Sequence, residues 1–384
     1  MQTRTPKRRI LILTADAGFG HRSAARAVAQ ALDENWGSQC QCAIVNPVVD
    51  WPAPFFLARS QLEYDHTVQA HPGFYRLSYQ ASDSRLASAL VESSLAVLLK
   101  KTMQAILASY RPDVVLTTFH LYNAPLQAAL AHGRPPRPFF CVVTDLAEVH
   151  QLWFQPGPAR LFTPTPQVRQ QAIAGGFPAA RVVVSGIPVA PAFARPTLPR
   201  AGLRAALGWD PGRFTLLFVG SRRIHHVYEH LLAIDRSELD LQLALVCGGN
   251  AELYRQVAAR RWRLPLHLYD YVENIPELMR AADALVSKAG GLVIAEGLAC
   301  GLPLLLIDQI PGQERGNARY VQQCKAGLAL QTPEDMVKTL NSLLSEDGGI
   351  LKQVTDNARR VGRPGAAFQI AAELWQAAQE NEAC

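Results

Sequence analysis

The chain has 384 residues, of which 49% are hydrophobic and 18% charged, with 38 Lys and Arg against 32 Asp and Glu. That length exceeds what one core usually supports, and that balance excludes disorder and a coiled coil, so a globular protein of two domains is expected. The net charge of +6 and a pI near 9.0 suit a nucleic acid and an anionic membrane surface equally well, and charge alone does not separate the two.

No apolar run reaches the 18 or so residues needed to span a bilayer, and MQTRTPKRRI leads straight into a strand, so the expectation is a cytoplasmic protein. The seven cysteines (40, 42, 141, 247, 300, 324 and 384) form no C-x-x-C pair, and most lie in apolar surroundings. Buried thiols are expected rather than disulfides or metal ligands.

In chain order, Ile10-Leu11-Ile12-Leu13-Thr14 is a continuous apolar run of the kind found in buried parallel strands. It stops at Ala15-Asp16-Ala17-Gly18-Phe19-Gly20-His21, after which Ala24, Val28, Ala31 and Leu32 keep helical spacing. Gly18-x-Gly20 begins a dinucleotide fingerprint, but Ser23 stands where the third glycine belongs. The next strand, Cys42 to Val45, ends in Asn46 where an acidic residue would grip a ribose. From Trp51 to Tyr110 the strands give way to aromatics (Phe55, Phe56, Tyr64, Phe74, Tyr75, Tyr79), an HPGF break and a helix from about Leu86 to Leu107 with Lys100-Lys101 near its end. Aromatics beside basic residues serve an interfacial membrane contact or a helical core.

Two further strands follow, Pro112 to Thr118, which leads into Phe119-His120, and Phe139 to Thr144. Past the second gather Asp145, Glu148 and His150, at the strand edge where open α/β sheets place their chemistry. Prolines 188, 191, 196 and 199 stiffen a linker. Strands are then expected at Phe214 to Val219, Leu243 to Cys247 and Leu266 to Tyr271, and late helices at Pro333 to Leu344 and Ala366 to Gln379. His226 and His230 have i, i+4 spacing without further ligands, so no metal site is expected.

The stretch Ala281 to Ala318 organises the second half. A strand (Ala284 to Ser287), a glycine turn (Gly290, Gly291), a helix of about nine residues, a stop at Gly301 and a strand (Leu304 to Ile307) form a β-α-β unit. Its helix amino terminus favours an anion, phosphate being the obvious guest, and glycine lets the backbone approach closely and take positive φ. Glu296 on the helix and Gln313-Glu314 in the next loop flank that place.

SKAGGLVIAEGLACGLPLLLIDQIPGQERGN closely resembles the donor-binding segment of glycosyltransferase family 28, which includes monogalactosyldiacylglycerol synthases, processive diacylglycerol glucosyltransferases and, more distantly, MurG-type transferases. AGFGHRSAARAVAQAL, HPGFYRL, TDLAEVHQLWF and the GIPV turn at Gly186 to Val189 are similar to the same family. The resemblance implies an α/β protein of GT-B fold, two Rossmann-like domains facing across a cleft. An acceptor domain spans 1–190, a linker 191–202 and a UDP-sugar domain 203–384, with the last helix a candidate to cross back to the first domain.

It implies roles by position. Gly18, Gly20 and His21 face the acceptor, with His21 or Asp145 as general base, and His150 and Trp153 on the acceptor or lipid side. Gly290, Gly291 and Ile275 lie at the donor, where Glu296 holds the ribose and Gln313 and Glu314 hold the sugar hydroxyls. After Val219, where relatives carry a glycine-rich loop near the diphosphate, this chain has Gly220-Ser221-Arg222-Arg223-Ile224-His225-His226. Arg222 or Arg223 can supply by charge what backbone supplies elsewhere.

The activity so implied is transfer of a hexose from UDP-glucose or UDP-galactose, with inversion, to a lipid hydroxyl, most simply diacylglycerol. The enzyme would be peripheral on the inner face of the cell membrane at an anionic surface, with no cofactor, no required metal (the sequence has no Asp-x-Asp motif) and no nucleic-acid partner. Three alternatives stay open: a transferase with a soluble or polyprenyl acceptor, a nucleotide-sugar epimerase, and a UDP-sugar-binding protein altered in catalysis at the Gly220 loop.

Overall fold

The structure, a computed structural model, describes residues 7–16, 19–54, 57, 85–131, 137–308, 313–345 and 348–380. The aromatic stretch around HPGF, on which the membrane contact was expected, lies outside the described residues, as does Gly18. The chain divides into two compact units, Met1–Pro191 with Gly365–Cys384, and Ala192–Pro364.

The first unit runs β1 (Arg8–Leu13), α1 (Phe19–Trp36), β2 (Cys40–Val45), α2 (Arg85–Tyr110), β3 (Val114–Thr117), α3 (Asn123–Leu130), β4 (Phe139–Val142), β5 (Arg160–Thr163), α4 (Pro166–Ala174) and β6 (Val182–Val184). Short 3-10 turns at His120–Tyr122 and Gln151–Phe154 follow β3 and β4. The strands form one parallel sheet in the order β2-β1-β3-β4-β5-β6.

The continuous apolar run of β1 is explained by burial on both faces. Ile10 and Ile12 pack with Val28, Ala31 and Leu32 of α1, whereas Leu11 and Leu13 pack with Leu95, Leu99 and Met103 of α2. Each such fully buried side chain contributes about 1.5–3 kcal/mol. The segment FTPTPQVRQQ begins at the end of β5 and continues into α4, inside this sheet system.

The second unit runs α5 (Arg200–Ala206), β7 (Thr215–Val219), α6 (Val227–Arg236), β8 (Gln242–Val246), α7 (Ala251–Ala258), β9 (Leu266–Tyr269), α8 (Ile275–Ala281), β10 (Ala284–Ser287), α9 (Gly291–Ala299), β11 (Leu304–Leu306), α10 (Gln313–Gln323), β12 (Gly327–Ala329), α11 (Pro333–Leu343) and α12 (Gly349–Val361). Its parallel sheet has the order β12-β11-β10-β7-β8-β9. Residues 192–202 are built into this unit: Arg280 Nη2 donates to the carbonyls of Ala192 (2.6 Å) and Arg195 (2.9 Å), and Arg200 pairs with Asp283 at 2.8 Å. The last helix, α13 (Ala366–Glu380), packs on α1 in the first unit, where Trp375 stacks on Trp36 with centroids 5.4 Å apart.

Both sheets are doubly wound. The first reverses direction between β1 and β3, the second between β7 and β10, and the loops at the carboxyl ends of those strands diverge into the crevice that such sheets use for ligands.

Candidate active site

At the first reversal, β1 delivers the chain to α1 and β3 ends at Thr117. His21, third residue of α1, reaches across: its Nδ1 lies 2.8 Å from the Thr118 carbonyl oxygen and 2.8 Å from Thr144 Oγ1. A carbonyl oxygen only accepts, so Nδ1 carries the proton and the lone pair sits on Nε2. Thr118 Oγ1 donates in turn to the Thr14 hydroxyl, 2.9 Å away. Burial lowers the His21 pKa to about 4, against the raising effect of the Thr118 hydrogen bond, so the ring is neutral through the neutral pH range.

Around His21 stands an aromatic cluster. Its ring centroid is 5.0 Å from Phe119 and 6.2 Å from Trp153, while His120 lies 4.9 Å from Trp153 and stacks at 6.2 Å on His150. Trp153 is fully buried and donates its indole N–H to Asp145 Oδ2 at 2.8 Å. That corrects the expectation of a lipid-touching tryptophan: the indole has no free surface and is the wall on which the imidazoles rest. His150 is also buried, its Nδ1 accepting from the Leu152 N–H at 3.2 Å as the cap of the 3-10 turn. Asp145 is half-buried. Burial raises its pKa to about 6, with the Trp153 hydrogen bond opposing. A Cβ placed on Gly20 would meet nothing within 4 Å, so open space rather than packing adjoins the glycine beside His21.

The second reversal has a different chemistry. Gly290 caps α9, whose first N–H groups lack intrahelical partners. Contrary to expectation, φ at Gly290 is −73°, and neither it nor Gly291 has positive φ; a Cβ on Gly290 would approach Lys288 Nζ to 3.1 Å. The glycine therefore serves close approach, not left-handed geometry. Lys288 forms an ion pair with Glu314 in α10, and Asn317 Nδ2 donates to the Ala289 carbonyl at 3.0 Å, which ties α10 to this turn. Glu296, half-buried on α9, makes no side-chain hydrogen bond with any described residue, and burial raises its pKa to about 8. Gln313 opens α10, but its side chain is not among those described.

Gly220 follows β7 and its N–H donates to the Val246 carbonyl at 2.8 Å. The chain after β8 crosses close above it: Gly248 has φ 62°, and a Cβ there would lie 2.4 Å from the Gly220 oxygen. Arg222 Nε donates to the Gly249 carbonyl at 3.2 Å, leaving its exposed guanidinium at these strand ends, and Arg223 is half-buried beside it.

The loop is pinned from the far side by Asp308, just after β11, which accepts from the His225 N–H (2.8 Å), the His226 N–H (2.9 Å) and the His226 ring. Burial pushes the Asp308 carboxyl up, but those hydrogen bonds outweigh it and hold the pKa below the usual value, while the same pairing raises that of His226. Ile275 stands apart, as first residue of α8 beyond edge strand β9.

His120, Lys288 and Asp308 were missed as site residues by sequence reasoning. Lys288 directly follows β10, Asp308 lies two residues past β11 and His120 three past β3, and applying to these strands the strand-end rule used for Asp145 would have found all three. Among the described residues no group of three or more His, Cys, Asp or Glu is placed to hold a metal ion.

Residues 21–189 match the family Monogalactosyldiacylglycerol (MGDG) synthase, and residues 200–361 match the family Glycosyl transferases group 1. The chain is 30% identical over 386 residues to monogalactosyldiacylglycerol synthase 3, chloroplastic, of Arabidopsis thaliana, covering 97% of this chain and 82% of that protein. Among solved structures, Acinetobacter baumannii MurG superposes with a TM-score of 0.62 at 16% identity over 97% of this chain and 100% of its own. Anabaena HepE in complex with UDP-glucose does so with 0.54 at 14% identity over 98% and 100%. These likenesses show the GT-B fold.

Proposed function

The chain belongs to the monogalactosyldiacylglycerol synthase family, and from that premise we propose that it moves a hexose from a UDP-sugar to the free hydroxyl of diacylglycerol. It is a glycosyltransferase, and a hexosyltransferase by kinship. The relatives' names favour galactose, and the UDP-glucose in a neighbour's structure favours a uridine diphosphate carrier.

His21 is the general base. The observation that carries this reading is its Nδ1–H donated to the Thr118 carbonyl, which leaves Nε2 as a fixed lone pair at the strand reversal beside the open space at Gly20. Nε2 takes the proton of the acceptor hydroxyl as the lipid oxygen bonds to the anomeric carbon and the anomeric carbon–oxygen bond to the diphosphate breaks, with inversion. The charge that collects on the departing diphosphate is met by the N–H groups of α9 behind Gly290 and Gly291 and by Arg222 or Arg223, without need of a metal. Glu296 accepts from the ribose hydroxyls, and Gln313 and Glu314, the latter oriented by Lys288, hold the sugar.

Asp145 does not remove the proton. One oxygen is committed to the Trp153 indole, and its role is to fix that ring behind the imidazoles. The protein acts as a peripheral enzyme on the inner face of the cell membrane. Its net charge of +6 favours an anionic surface, and no described helix is long and apolar enough to cross a bilayer.

The test is UDP release by purified protein from UDP-galactose and UDP-glucose, each with and without diacylglycerol micelles. Release that requires the lipid, and is faster with one sugar, supports the reading and names the donor. Release without lipid indicates an epimerase or hydrolase, and no release with either sugar rejects the transferase.

A further inference from the structure

The donor reading gives Arg222 and Arg223 a part, and His226 in the same loop none. The carboxyl ends of β7, β10 and β11 are level: Ser287 Oγ donates to the Val219 carbonyl at 3.1 Å, and the Ile307 N–H donates to the Ser287 carbonyl at 2.9 Å. In the sheet order β11-β10-β7, Asp308 past β11 nevertheless accepts from His225 and His226 in the loop past β7. That contact therefore spans the end of β10, the strand that runs on through Lys288 and Ala289 to Gly290 at the cap of α9. Asp308 stands one strand spacing, about 5 Å, from this segment. It also takes φ 51°, left-handed geometry that a non-glycine residue rarely adopts, and three hydrogen bonds hold it there.

We propose that His226 is a donor-phosphate contact, its imidazolium oriented by Asp308 at Nδ1 and donating from Nε2 to the diphosphate of the UDP-sugar. This rests on the UDP-sugar reading of the second unit and extends it. A carboxylate oxygen accepts, so Nδ1 carries a proton. Nε2 makes no hydrogen bond with a described residue, and the side chain is 64% exposed, open to a ligand. The hydrogen bond to Asp308 raises the pKa of the ring; burial opposes it, and the charges of Asp308 and of Glu229 on α6 add to it. His230, one turn further along α6, is pushed down by burial and is neutral at pH 7, and Glu334 of α11 acts on it from the other side. Arg222, Arg223 and His225 share the loop with His226. The charged ring is present below its raised pKa and is lost as pH rises through it, so donor affinity falls as the solution turns alkaline.

The experiment measures, by calorimetry without lipid, the affinity of wild type, His226→Gln and Asp308→Asn for UDP-glucose and UDP-galactose between about pH 6 and about pH 9. A UDP-sugar is used because its diphosphate keeps a constant charge over that range, whereas the terminal phosphate of free UDP titrates at about 6. Glu296, raised to about 8, titrates in the same window, so the quantity read is the ratio of variant to wild-type Kd at each pH. The expected result is that His226→Gln binds the better donor about 5- to 10-fold more weakly than wild type at about pH 6, and less than about twofold more weakly at about pH 9. In Asp308→Asn the alkaline loss of affinity moves to lower pH. Uridine, which lacks the phosphates, binds wild type and His226→Gln alike and shows that both are folded. A ratio that is flat with pH, no shift in Asp308→Asn, or the same ratio for uridine overturns the proposal and leaves His226 as a loop-packing residue. Wild type that binds neither UDP-sugar overturns the donor reading itself, and this inference with it.

Discussion

In the first unit the strand ends at the reversal carry imidazoles, an indole and hydroxyls, with the key histidine neutral. In the second the corresponding strand ends and the helix after them carry a helix amino terminus, two arginines, a lysine–glutamate pair and a carboxyl that makes no side-chain hydrogen bond with a described residue. The two sheets share one winding plan, so topology decides where a site forms. What the site does is decided by a few side chains on the loops. Neutral, hydrogen-bond-oriented groups suit proton removal from an alcohol near apolar chains. Fixed charge and dipoles suit a dianionic diphosphate. The comparison fits the proposed division of acceptor chemistry to one unit and donor chemistry to the other, and each substitution below tests that division.

The largest effect is expected at His21. His21→Ala should lower kcat about 10²- to 10⁴-fold, measured as lipid-dependent UDP release at saturating donor. A loss under tenfold would move the base elsewhere.

Next comes Glu296→Ala, which should weaken UDP binding by calorimetry about 10- to 100-fold by removing the acceptor for the ribose hydroxyls. Unchanged affinity would place the ribose away from α9.

A smaller effect concerns stability. The folded pKa of Asp145, about 6, lies above its value of 3.8 in an unfolded chain. Unfolding therefore releases a proton between those values: the penalty on the fold is absent below pH 3.8, grows as pH rises, and is complete above 6. Asp145→Asn should stabilise the protein by about 3 kcal/mol at most at pH 7 and by nothing near pH 3.5, read from melting temperatures. Equal effects at both pH values would mean that the carboxyl is not raised.

Smallest is Asp308→Asn, which weakens the hold on the His225–His226 loop. UDP should bind about threefold more weakly, the scale of an exposed ion pair, with kcat for the lipid unchanged.

Much of this architecture was legible in the chain. Buried parallel strands reveal themselves as apolar runs, and the helix on Ala24, Val28, Ala31 and Leu32 reads from its spacing because all four positions are fully buried. Strands β5 and β6 escaped because four- and three-residue strands beside Pro and Gly turns look like linker.

At the candidate site, a strand end pointed to Asp145, and the family resemblance to His21, Glu296 and Glu314. The pairing of His21 with Thr118, 97 residues away, depends on β1 and β3 lying side by side, which no local pattern states. Trp153, placed on the acceptor or lipid side by the resemblance, is buried against Asp145, a packing that its position in the motif does not state.

The division of labour is tested most directly by measuring UDP affinity and diacylglycerol-dependent UDP release on the same preparations of wild type, His21→Ala and Glu296→Ala. The account predicts that His21→Ala binds UDP like wild type yet releases almost none from the sugar donor, whereas Glu296→Ala loses affinity. If His21→Ala weakens UDP binding as much as Glu296→Ala does, or if it keeps wild-type release, the assignment of acceptor and donor chemistry to separate units is wrong.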